Sequence, residues 1–79
     1  PVEKRLVAAL FYLYHKFGFT LPLTRAEVGT MAGTTSETTM RVLKRLEDWG
    51  LLERLRGKVL IRDLPRLRAE LGFARARQS

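Results

Sequence analysis

The chain has 79 residues, with 15 Lys and Arg against 8 Asp and Glu, which gives a net charge of +7 and an isoelectric point near 10.9. A chain this short buries only about 60% of the surface it exposes when unfolded, which excludes a second domain. Its 46% hydrophobic and 29% charged residues exclude a disordered basic tail. With no cysteine and one histidine, His15, it has no disulfide framework, no thiolate nucleophile and no Cys/His zinc set. The longest apolar run, Leu6 to Leu13, falls far short of the roughly 20 residues that span a bilayer. The N-terminus carries no signal-peptide pattern and opens on Pro1, so the chain reads as the C-terminal piece of a longer protein.

From Val2 to Phe17, Leu6, Ala9, Leu10, Leu13 and Phe17 recur at spacings of three and four, which predicts a helix over 2–17 ended by Gly18. The segment Phe19 to Leu23 contains Pro22 and reads as a link or a short edge strand. Thr24 with Glu27 forms a capping-box pattern that opens a short helix, with Val28, Met31 and Ala32 as its apolar face and Gly33 as its stop. Thr35, or failing it Ser36, caps a longer helix with Val42, Leu43, Leu46 and Trp49 on its stripe, which places a helix-turn-helix over 24–48. Leu51 to Arg62 reads as two strands around the turn Arg56-Gly57-Lys58. A last short helix is expected over 64–71, with Asp63 as cap, Pro65 in its first turn and Gly72 as its stop, followed by a fraying tail over 73–79.

This order predicts a mainly α fold with a small β-hairpin: a winged helix-turn-helix with a three-helix core and a short C-terminal helix. If Thr39, Val42, Leu43 and Leu46 face the core, then Ser36, Glu37, Met40, Arg41 and Lys44 form an outward stripe. Such a stripe fits a major groove, where Arg41 can donate a bidentate pair to guanine and Glu37 can accept from a cytosine amino group. Met40 is either a thymine-methyl contact or an exposed apolar residue. Thr38, at the helix start, is placed for a phosphate, and Thr24, Arg25, Thr35, Lys44, Arg56 and Lys58 are further phosphate candidates. Arg66, Arg68, Arg75 and Arg77 are weaker ones, because basic residues on small domains more often serve solubility. Positive charge is concentrated here: residues 54–79 carry eight basic and two acidic groups.

The segments Leu23-Thr24-Arg25-Ala26-Glu27-Val28 and Gly33 to Glu47, continued by Trp49-Gly50-Leu51-Leu52, resemble the DNA-binding domain of the Crp/Fnr family of bacterial transcription regulators. The resemblance covers roughly residues 4 to 71. It implies a recognition helix over 36–47 with Glu37 and Arg41 as base readers, Thr38 on a phosphate, and a wing around Gly57. It also implies a homodimeric parent on a pseudo-palindromic operator in double-stranded DNA, with RNA polymerase as a further partner. An effector such as a cyclic nucleotide would then bind an N-terminal domain outside this chain, and no cofactor or metal is expected within it. One departure stands out: the family carries Arg where this chain has Ser36, which changes the readout of one base pair.

Two rival uses of the same fold stay open, a protein-interaction module and, less favoured, an RNA-binding winged helix. An aromatic platform built from Trp49, Phe11, Tyr12, Tyr14 and Phe17 is disfavoured, since their helical spacing reads as core or helix packing. No base or buried acid is placed to activate the hydroxyls of Thr34, Thr35, Ser36, Thr38 and Thr39, so an enzyme is not expected. His15 reads as a polar residue at a helix C-terminus.

Overall fold

In chain order the elements are α1 (Val2–Phe17), β1 (Thr20–Leu21), α2 (Arg25–Ala32), α3 (Ser36–Asp48), β2 (Leu52–Leu55), β3 (Lys58–Ile61) and α4 (Leu64–Gln78). They come from a computed structural model, which describes the backbone of residues 2–78 and the side chains of residues 2–71. The winged helix-turn-helix expected from the residues is the fold observed.

The core gathers around α1, whose Leu6, Val7, Leu10, Phe11 and Leu13 are buried. The expected stripe omits Val7 and Phe11 and wrongly includes Phe17, which is exposed. The buried face is wide because α1 packs against α2, α3, α4 and β1, and Phe17 lies at the end of the helix. Met31 and Trp49 are likewise exposed rather than packed, and Tyr12 and Phe17 correct the reading of the aromatics as core. Each of these three apolar stripes overshoots at its last turn.

Capping follows the sequence closely. Thr24 Oγ1 accepts from the Glu27 amide (3.2 Å) while Glu27 Oε1 accepts from the Thr24 amide (2.8 Å), a complete capping box. Thr24→Ala removes half of that exchange and is expected to cost about 1 kcal/mol, lowering a thermal midpoint by about 4–8 °C in a circular dichroism melt. Gly33 closes α2 at φ +70°, a left-handed conformation that any side chain would strain. α3 ends in a Schellman arrangement, the Gly50 amide donating to Glu47 O and the Leu51 amide to Leu46 O, with Leu46 and Leu51 both buried. Asp63 caps α4 as expected, Oδ1 accepting from the Arg66 amide at 3.1 Å.

The expected two-stranded hairpin is one part of a three-stranded antiparallel sheet in the order β1-β3-β2. Thr20 pairs with Leu60 and Leu21 with Val59, so the link after α1 becomes the edge strand that had been its alternative reading. On the inner face Leu21, Leu52, Val59 and Ile61 close the core. The turn is shorter than expected: Leu55 pairs with Lys58, which leaves Arg56 and Gly57 at the tip, and Gly57 adopts φ +68°. The last helix is longer than expected, continuing through Gly72 to Gln78. A lone Gly costs a helix about 1 kcal/mol relative to Ala but does not oblige it to stop, and Ala and Arg after it favour helix. The side chains of Arg75 and Arg77 lie outside the described residues.

Candidate nucleic-acid interface

α3 carries the candidate readers, and its orientation is set by its burial pattern. Thr39, Val42, Leu43 and Leu46 are buried, while Ser36, Glu37, Arg41 and Lys44 are exposed and Met40 is half-buried. At about 100° per residue the buried positions span an arc of about 100°, and the outward ones an arc of about 140° on the opposite side. The outward stripe expected from the sequence is therefore the one observed.

The seam between α2 and α3 is unusually close at Gly29. A Cβ there would stand 2.1 Å from Thr39 Oγ1. Thr39 is fully buried and gives its hydroxyl proton to Thr35 O (2.7 Å), so the polar group is satisfied inside the seam. Arg25, a phosphate candidate, is turned to this seam too: its Nη1 donates to Glu47 Oε2 at 3.4 Å, and both side chains are largely covered.

The N-terminus of α3 presents donors. Thr35 Oγ1 accepts from the Thr38 amide (3.2 Å) and donates to Thr38 Oγ1 (3.0 Å), so Thr38 keeps its own hydroxyl proton for another acceptor. The Ser36 and Glu37 amides, in the first turn, have no partner within the helix, and the helix dipole adds to their attraction for an anion. Thr24, whose hydroxyl only accepts in its capping box, likewise has a proton to give.

Among the described residues Arg41 and Glu37, four positions apart on α3, make no ion pair with each other; the pairs present are Arg25–Glu47, Lys44–Asp48, Arg45–Glu3 and Arg62–Glu53. Lys44 Nζ lies 3.5 Å from Asp48 Oδ1 in a well-exposed contact that is weak in water. Arg54, Arg56 and Lys58 are exposed on the hairpin with no acidic partner among the described residues. Arg66 is committed elsewhere: its Nη1 donates to Trp49 O (3.2 Å) at the far end of α3, about 20 Å from Ser36. Arg68 lies over the Phe11 ring, 5.7 Å from its centroid. No cluster of metal-ligating side chains occurs among the described residues, nor any helix long and apolar enough to cross a membrane.

A model of the Crp-like helix-turn-helix domain matches residues 4–70. The chain belongs to this family. Crp-like helix-turn-helix domains are DNA-binding domains of transcription regulators, a family of regulators and not of enzymes. Its fold superposes on a Crp/Fnr-family transcriptional regulator from Eubacterium rectale with a TM-score of 0.81 and 26% identity, covering 90% of this chain and 33% of that one. It matches the Thermus thermophilus catabolite activator protein with a TM-score of 0.80 and 28% identity, over 89% and 33% of the two chains. Electron transport regulator A of Shewanella oneidensis is 37% identical over 67 residues, which is 75% of this chain and 26% of that protein. The Crp-like domain thus spans between a quarter and a third of the length of these relatives.

Two features of the Crp-like domain were missed in the sequence. One is the close approach at Gly29, whose signal is a small residue directly after the buried Val28. The other is Arg5 of α1, whose Nε donates to Ala32 O at 3.2 Å; an arginine 27 residues away in the chain gives no local sign of that contact.

Proposed function

We propose that this Crp-like domain reads a half-site in double-stranded DNA for a Crp/Fnr-type transcription regulator. α3 enters the major groove, Ser36, Glu37, Met40 and Arg41 face base edges, and the hairpin lies along the phosphate backbone. The observation that carries the reading is the exposed arc of Glu37 and Arg41 on α3, without ion-pair partners among the described residues, with the donor-rich N-terminus beside it and the packed seam behind it. Thr24, Thr35, Thr38 and Lys44 supply phosphate contacts from the helices, and Arg56 and Lys58 from the wing. Arg25 contributes by holding α2 to α3. The parent regulator is a cytoplasmic homodimer on a pseudo-palindromic operator with half-sites about one helical turn apart, and RNA polymerase and an effector act through that larger protein.

A groove of about 350 Å³ lined by Arg5, Ala8, Ala9, Tyr12, Met31 and Ala32 favours a second reading, a protein-interaction module; it uses no side chain of α3. Selection from a random duplex library, followed by fluorescence titration of the enriched and scrambled duplexes at two salt concentrations, separates the readings. A sharp motif bound more tightly than scrambled duplex supports half-site reading, and equal binding that vanishes with salt refutes it. In the same titration Arg56→Ala and Lys58→Ala are each expected to weaken all duplexes alike and to lower the slope of log K against log salt by about 0.9.

A further inference from the structure

The carbonyls at the end of α2 are divided between two kinds of partner. Gly29 O accepts from the Thr34 amide and Thr30 O from the Gly33 amide, each at 3.1 Å, which completes the backbone closure of the helix. The next carbonyls that matter, Ala32 O and Gly33 O, point to a different element. Arg5, in the first turns of α1, gives Nε to Ala32 O at 3.2 Å and Nη2 to Gly33 O at 3.5 Å. One guanidinium thus bridges the last residue of α2 and the first residue of the turn, two residues before the Thr35 cap of α3. Its positive charge also lies at the negative end of the α2 dipole.

We infer that Arg5 is a positioning residue for DNA readout, holding the turn between α2 and α3 so that Ser36, Glu37 and Arg41 meet the groove at a fixed angle. The inference rests on the half-site reading above. The fork is what matters: a guanidinium donates from two nitrogens held in one plane, whereas a lysine ammonium carries the same charge without that geometry. A rotation of the turn leaves phosphate neutralisation nearly intact, because point charges tolerate displacement, but it misaligns bidentate base contacts.

The test compares the wild-type chain with Arg5→Lys and Arg5→Gln at a temperature where all three are folded. Affinity for the selected duplex and for scrambled duplex is titrated across salt, and amide hydrogen exchange is followed residue by residue. Arg5→Lys is expected to lower affinity for the selected duplex about five- to tenfold, part of what one base contact carries, and to leave scrambled duplex within about twofold with the salt slope unchanged. Exchange should accelerate at the Gly33 and Thr34 amides while Leu10 and Leu43 stay protected. An unchanged ratio between the two duplexes overturns the inference. So does uniform acceleration of exchange, which would make Arg5 a contributor to global stability alone. Full rescue by Arg5→Lys with a lowered salt slope in Arg5→Gln also overturns it, by showing a phosphate contact. A wild-type chain with no preferred duplex is a separate failure, that of the half-site reading, and takes the inference with it.

Discussion

Gly29→Ala is expected to lower the thermal midpoint by about 10–20 °C, a cost of roughly 2–3 kcal/mol in a domain of this size. The new methyl carbon would meet Thr39 Oγ1 at 2.1 Å and Thr39 Cβ and Cγ2 at 2.8 Å. Thr39 has nowhere to go, since it is fully buried and its hydroxyl is held by Thr35 O. Relief therefore requires α2 and α3 to separate, which opens the packing of Val28 against the core as well. Adding Thr39→Ala to Gly29→Ala removes Oγ1 and Cγ2 and leaves the 2.8 Å approach to Cβ, so the pair should recover part of the loss. Thr39→Ala alone should cost about 1 kcal/mol, the worth of its hydrogen bond. Circular dichroism melts of the three variants check this cycle, and additive losses would show that the seam is not the cause.

Why some of this was legible and some was not follows from the range of each interaction. Caps at Thr24, Thr35 and Asp63 act within three residues, so the letters alone show them. The periodicity of α3 is local as well, and it fixed which side of Thr39, Val42, Leu43 and Leu46 faces inward. The pairing of β1 with β3 joins residues about 40 positions apart, and a two-residue strand leaves no alternation to detect. Met31, Phe17 and Trp49 are apolar residues at helix ends, where the periodicity continues in the sequence although the side chains are exposed. The commitments of Arg25 to Glu47 and of Arg5 to the turn are likewise tertiary, and nothing in their neighbours announces them.

That distinction bears on charge. The net charge of +7 suggests a surface uniformly ready for phosphates, yet Arg25 and Arg45 tie helices together and Arg66 braces the end of α3. Cations with no acidic partner among the described residues include Arg41 on α3 and Arg54, Arg56 and Lys58 on the wing. These cations sit on two elements far apart in sequence, one on the outward arc of α3 and one on the hairpin. On the half-site reading proposed above, docking strength and salt dependence are expected to reside largely on the wing, and discrimination on α3.

Arg41→Ala should accordingly lower affinity for the selected duplex by about 1–3 kcal/mol, a factor of about 5 to 150, while scrambled duplex weakens far less. Arg41 is exposed on the outward arc and unpaired among the described residues, so removing it frees no buried partner and leaves the fold's stability near that of wild type. The loss then reports on the complex. Arg41→Lys retains the charge but not the planar fork, and is expected to keep most of the salt slope while losing most of the discrimination. Lys44→Ala gives the opposite pattern: its ammonium is shared with Asp48 in an exposed pair, and its loss should weaken every duplex alike and lower the salt slope by about 0.9. Titration of the three variants against selected and scrambled duplexes separates these roles. If Arg41→Ala weakened both duplexes equally, Arg41 would be one more phosphate contact, and base reading on this helix would fall to Glu37, Met40 and Ser36.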